Sequence, residues 1–159
     1  MYKKIIKIII VLLCMITIFS FSSDNEQQSN KKSDGVIIGF TRIIVGHNLS
    51  GKEKTKYINK YVVFVRKSAH FTIYFILGLS LISLIREYRY LDIKALLIAL
   101  IIAILYACSD EFHQLFVSGR SGQITDVLLD STGSFIGIYI YYLFYKIRSK
   151  KYEQEKTTS

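Results

Sequence analysis

Asp110, Glu111, His113 and Gln114 stand within five residues of one another, followed by Arg120, Asp126 and Asp130. Arg66, Lys67, His70 and Tyr74 form an earlier polar group. Acids beside imidazoles are the types that general acid–base chemistry and hard-metal sites use. Arginines and lysines are the types that dock a carboxylate or pyrophosphate. Read on a helix, Lys67, His70 and Tyr74 (i, i+3, i+7) share one stripe. Asp110, His113 and Gln114 share a second, and Asp126, Asp130, Gly133 and Gly137 a third. These stripes predict one connected polar site. Its ligand-binding set is Arg66, Lys67, His70, Tyr74, Asp110, Glu111, His113, Gln114, Arg120, Asp126 and Asp130. His70, Asp110, Glu111, His113 and Asp126 are the candidates for any catalytic role. Asp110-Glu-Phe-His113-Gln114 lacks the two histidines at i and i+4 of a zinc-protease helix. A zinc protease is therefore set aside, and the leading reading is a binding site to which no metal and no cofactor are assigned.

The elements that must position these residues are apolar runs. The chain has 159 residues, of which 51% are hydrophobic, and a mean hydropathy of +0.32. That is too apolar for a soluble domain and short enough for one domain over 1–159. Runs near 5–21, 64–86, 93–113 and 124–146 are long enough to cross a bilayer. Unsatisfied backbone groups are excluded from lipid, so the runs must be helices. The fold class is all-α, a polytopic membrane bundle of about four spans. Short connections at 86–92 and 118–123 make consecutive helices antiparallel neighbours. A cleaved signal segment is the competing reading of the first run. Residues 22–60 read as a polar loop. Within it, 36–45 is too short to span and is expected to lie as an interfacial helix or a covering loop. Asn48-Leu49-Ser50 is a lone glycosylation sequon and carries no weight. Cys14 and Cys108 lie inside apolar runs without paired spacing, so both are expected to be buried thiols.

The net charge is +9, but the cations flank the apolar runs. That distribution excludes a nucleic-acid partner and fits membrane anchors. Four spans place both termini on one side. Lys3, Lys4, Lys7, Arg86, Arg89, Lys94, Lys146, Arg148, Lys150 and Lys151 share that side, which the positive-inside rule makes cytoplasmic. Residues 22–60 carry seven Lys/Arg of their own and would lie outside, against the rule. The polar stripes then meet at the outer face. Tyr139, Tyr141, Tyr142 and Tyr145 read as an aromatic belt at the inner interface. A purely structural reading stands beside the functional one. In it, Asp110 with Arg120, and Asp126 with Lys67, are ion pairs that offset burial, and Arg66 is an interfacial anchor.

Arg66-Lys67-Ser-Ala-His70-Phe-Thr-Ile-Tyr74, then Asp110-Glu111-Phe-His113-Gln114, Gly119-Arg120-Ser121-Gly122 and Asp126-Val-Leu-Leu-Asp130-Ser-Thr-Gly133, resemble the VanZ-like family of bacterial membrane proteins. Phe21-Ser22-Ser23 after the first run resembles it too, so the likeness spans about 5–145. Ser118 and Asp130 depart from it, standing where the family often has proline and asparagine. The resemblance implies an envelope protein associated with reduced susceptibility to the glycopeptide teicoplanin. Its expected partners are the lipid bilayer and a lipid-linked or glycopeptide ligand at the outer face. The alternative is a membrane-embedded acid–base or metal-dependent enzyme acting on a lipid-linked envelope substrate. A transporter would need polar residues through the bilayer midplane, which these runs lack.

Overall fold

The computed structural model describes residues 2–45, 50–88 and 91–157. Asn48, Leu49 and Arg89 lie outside the described residues. Five helices make up the rest: α1 (Tyr2–Ser22), α2 (Glu26–Val45), α3 (Gly51–Ile85), α4 (Ile93–Gln114) and α5 (Ile124–Thr157). No strand occurs among the described residues. α1, α3, α4 and α5 are each long and apolar enough to cross a membrane, α5 over Ile124–Ser149. The four-span bundle expected from the sequence is thus the architecture found.

The expected polar loop at 22–60 is a correction. Most of it is helical: α2 covers 26–45, and α3 begins at Gly51 rather than near 64. α2 buries Ser29, Ser33, Ile37 and Thr41, one residue in four, against α3. That stripe is made mostly of hydroxyls, so hydrophobic periodicity does not reveal it. α3 is 35 residues long, about 52 Å at 1.5 Å per residue. A bilayer core is about 30 Å thick. α3 therefore reaches well beyond the length a span requires, and α2 lies along the excess. The chain has no proline, and nothing interrupts α3. The backbone N–H of Ser50 donates to Glu53 at its start (3.1 Å), and Asp92 caps α4 through the Ala95 N–H (2.8 Å).

The packing is inverted relative to a water-soluble bundle. α4 turns Ala95, Ala99, Ala103 and Ala107 inward, all fully buried, while Leu97, Ile98, Ile101, Ile102 and Leu105 point outward. Small inward residues let helices approach, which is how bundles pack in lipid. α3 and α5 approach most closely. A Cβ on Gly137 would sit 2.2 Å from the Phe75 carbonyl oxygen, and one on Gly133 would sit 2.6 Å from that of Phe71. The hydroxyl of Ser134 donates to the Tyr74 carbonyl across the same seam (3.0 Å). Tyr106 ties α4 to α1 by donating to the Met15 carbonyl (2.6 Å). Cys14 is buried as expected, but Cys108 is exposed. It points away from the bundle next to the alanine face, so its apolar neighbours in sequence do not cover it.

α1 and α4 run one way and α3 and α5 the other. Lys7 bonds to Glu87 and to the Ser83 carbonyl at one end, whereas Ser22 meets Asp110 at the other. The start of α1 and the body of α5 beyond Tyr141 share the first end, where Arg86 donates to Tyr141 (3.2 Å) and lies over the Tyr145 ring. The three polar stripes all converge on the second end.

Candidate functional site

α3 delivers Lys67, His70 and Tyr74 on consecutive turns of one face. α5 delivers Asp126 and Asp130 one turn apart. Lys67 pairs with Asp126, both partly exposed. One turn deeper, His70 Nδ1 lies 3.8 Å from Asp130 Oδ2. That separation suits an ion pair with a protonated ring but is too long for a hydrogen bond. Tyr74 is fully buried below them, and its hydroxyl has no hydrogen-bond partner among the described residues.

α4 contributes its last two turns. Asp110, Glu111 and Gln114 are all buried. Asp110 Oδ2 accepts from the Ser22 hydroxyl (2.7 Å) and more distantly from Gln114 (3.4 Å). Glu111 accepts from Gln114 (3.0 Å) and from the Gln123 backbone N–H (2.9 Å). Glu111 is therefore tied to the start of α5. Asp110 Oδ1 and both oxygens of Asp130 accept no hydrogen bond from any described residue. One ligating atom from each of His70, Asp110 and Asp130 falls within 4.8 Å of the others.

The turn from α4 to α5 supplies the rim. Gly119 has φ 75°, a left-handed conformation that glycine adopts without strain. That turn aims Arg120 back at α1, where its guanidinium donates to the Asp24 and Phe21 carbonyls (3.2 Å each). The expected Asp110–Arg120 ion pair does not form: Arg120 is held by backbone oxygens instead. Burial pulls the Arg120 guanidinium below its usual range, and the neighbouring Arg66 charge pushes it the same way. Arg66 is half-buried and has neither a hydrogen bond nor an ion pair with any described residue. Together these groups surround a cavity of about 20 Å³ at the polar end. Of its lining residues, Glu111 and Asp130 are buried, and Arg66, Lys67, Arg120 and Asp126 are partly exposed.

Ten of the eleven expected residues gather at this cavity or directly beneath it. His113 is the exception, because its ring turns toward α1, stacks on Phe19 (centroids 4.7 Å apart) and contacts the Ser23 hydroxyl (3.2 Å). It shares a stripe with Asp110, but α1 occupies the side of that stripe it faces. The site also recruits Ser22 and the Gln123 backbone, which spacing alone does not single out. Ser22 is completely buried; it stands in the Phe21-Ser22-Ser23 stretch that carries part of the family resemblance, but its contact with Asp110 follows from the α1–α4 packing.

The family model described as VanZ/LLP1 matches residues 7–145 of the chain. No curated protein matches it, and no solved structure does.

Proposed function

The chain belongs to the VanZ/LLP1 family, and from that premise we propose that it is a multi-pass protein of the cell membrane whose polar pocket binds the anionic group of an envelope ligand, lipid-linked or glycopeptide. The observation that supports this is Arg66. A half-buried guanidinium without a partner among the described residues, lining the same cavity as a second guanidinium, is stabilised by a phosphate or carboxylate set between them. The cavity is about 20 Å³, room for roughly one water-sized group and far below the few hundred Å³ that enclose a drug-sized molecule. The pocket therefore grips the charged end of the ligand and leaves its bulk in lipid or solvent. With both termini cytoplasmic, the pocket opens outward, and reduced teicoplanin susceptibility is the phenotype this reading expects.

The test is native mass spectrometry of the detergent-extracted protein. The wild type should carry an anionic species, and Arg66→Ala should lose it by about tenfold, the equivalent of one charge-assisted hydrogen bond. Equal retention by Arg66→Ala would end the reading. Orientation is tested by whole-cell labelling of Lys31→Cys, an exposed position on α2, in a background lacking Cys14 and Cys108. Protection of that thiol from an impermeant reagent would reverse the topology.

The enzyme alternative draws its support from a separate observation, the His70, Asp110 and Asp130 group beneath the arginines. Under it, His70→Ala would abolish turnover of a lipid-linked substrate while Arg66→Ala would mainly weaken binding.

A further inference from the structure

The acids of the pocket differ in how many of their oxygens are hydrogen-bonded. Asp126 has Lys67. Glu111 has Gln114 and the Gln123 N–H. Asp110 and Asp130 are 3% and 1% exposed and keep three carboxylate oxygens that accept nothing from the described residues. They come from different helices, and His70, from a third, brings a ring nitrogen into the same 4.8 Å group. The hydroxyl of Tyr74, buried just below, is likewise without a partner. His70 and Asp130 also line the cavity of about 20 Å³.

We propose that His70, Asp110 and Asp130 bind a divalent transition-metal ion of the zinc or manganese class. The charge count supports it. With His70 neutral, as a metal ligand must be, the two buried carboxylates face no other cation among the described residues, and one doubly charged ion offsets the cost of two negative charges at low dielectric. The donor set of one imidazole and two carboxylates suits zinc or manganese rather than calcium, which takes six to eight oxygens. Metal–ligand bonds of about 2.1 Å put cis ligands roughly 3–3.5 Å apart, so the three side chains close by about 1 Å around the ion. Ser22 and Gln114 already hold the other oxygen of Asp110, the outer-shell support that orients a metal-binding carboxylate. Tyr74 is placed to hydrogen-bond a ligating oxygen once the carboxylates turn to the metal. The assignment goes beyond the anion-binding reading and does not rest on it.

The full chain, purified in detergent and stripped with a chelator, is titrated with Zn²⁺ and with Mn²⁺ by calorimetry and by bound-metal analysis. The expected result is one ion per chain. His70→Ala, Asp110→Asn and Asp130→Asn should each lower the affinity by more than about 100-fold, beyond the loss of an outer-shell partner. Arg66→Ala should keep the metal, which separates this assignment from the anion reading. The ion should raise the melting temperature of the wild type and leave that of Asp130→Asn unchanged. Asp130→Asn removes a buried carboxylate whose oxygens accept no hydrogen bond from the described residues, so in chelator it should melt at or above the wild type, which shows that it folds. The proposal is overturned by the lack of stoichiometric uptake, by equal uptake in Asp110→Asn and Asp130→Asn, or by melting that ignores the ion. That last pattern would mark the two aspartates as buried neutral acids.

Discussion

At the end of the bundle where α1 begins, Lys7 bonds Glu87 and the Ser83 carbonyl, and Arg86 bonds Tyr141 while lying over Tyr145. Asp92 caps α4 there. At the opposite end, four acids, a lysine, two arginines and a histidine crowd between α3, α4 and α5, and three carboxylate oxygens and a phenol go without partners among the described residues. Both ends hold a partly exposed lysine–carboxylate pair, but only the second also buries Asp110 and Asp130 with oxygens that accept no hydrogen bond from the described residues. Each unsatisfied buried polar atom costs about 1–3 kcal/mol. Anchoring a bundle in a membrane does not require that cost, because the first end anchors without it. The second end is therefore the one shaped by something other than stability.

The strongest way to break this comparison is to separate the helices that carry it. Gly137→Leu puts a side chain where Cβ alone sits 2.2 Å from the Phe75 carbonyl, and should cost about 3 kcal/mol. Thermal melting in detergent reads this directly, and wild-type melting would show that the α3–α5 seam does not hold the pocket together. A smaller effect is expected from Lys67→Met, which strands Asp126. A fully buried pair would lose about 3–5 kcal/mol, and partial exposure reduces this to about 2 kcal/mol. Adding Asp126→Leu should restore much of it. Lys7→Met, at the other end, should shift melting less than Lys67→Met; equal shifts would erase the distinction between the ends.

The smallest effect concerns acid. The hydrogen bond from Lys7 holds the Glu87 carboxyl below its ordinary value of 4.5. Its folded value is depressed, so its contribution is complete above the unfolded value and fades as pH falls through the folded one. The small advantage of wild type over Glu87→Gln in melting at pH 7 should therefore vanish on acidification to below the folded value. An advantage that persists there would mean that Lys7 and Glu87 do not act as a pair.

Much of the site is legible in the sequence because helical spacing fixes which side chains share a face. Lys67, His70 and Tyr74 share one face and Asp126 and Asp130 another, as their spacing requires, and Gly133 and Gly137 mark the seam that brings their helices together. Spacing does not say which neighbour a stripe meets. His113 lies on the stripe of Asp110 yet faces α1, and Arg120 bonds two carbonyls rather than the acid expected for it. α2 is hidden for a different reason. Its buried stripe consists of Ser29, Ser33, Ile37 and Thr41, and hydroxyls every fourth residue carry no apolar signal. The unpartnered oxygens of Asp110 and Asp130 are beyond any sequence reading, since they depend on where side chains from three helices end.

The alanine face of α4 bears on how this protein can change over time. Leu97, Ile101 and Leu105 face outward, where one large aliphatic group serves as well as another, so exchanges among them are close to silent. Ala95, Ala99, Ala103 and Ala107 have no such freedom, because each is fully enclosed and one added methylene there has nowhere to go. The identity of the fold is thus written in its smallest side chains, and its largest ones are free to drift.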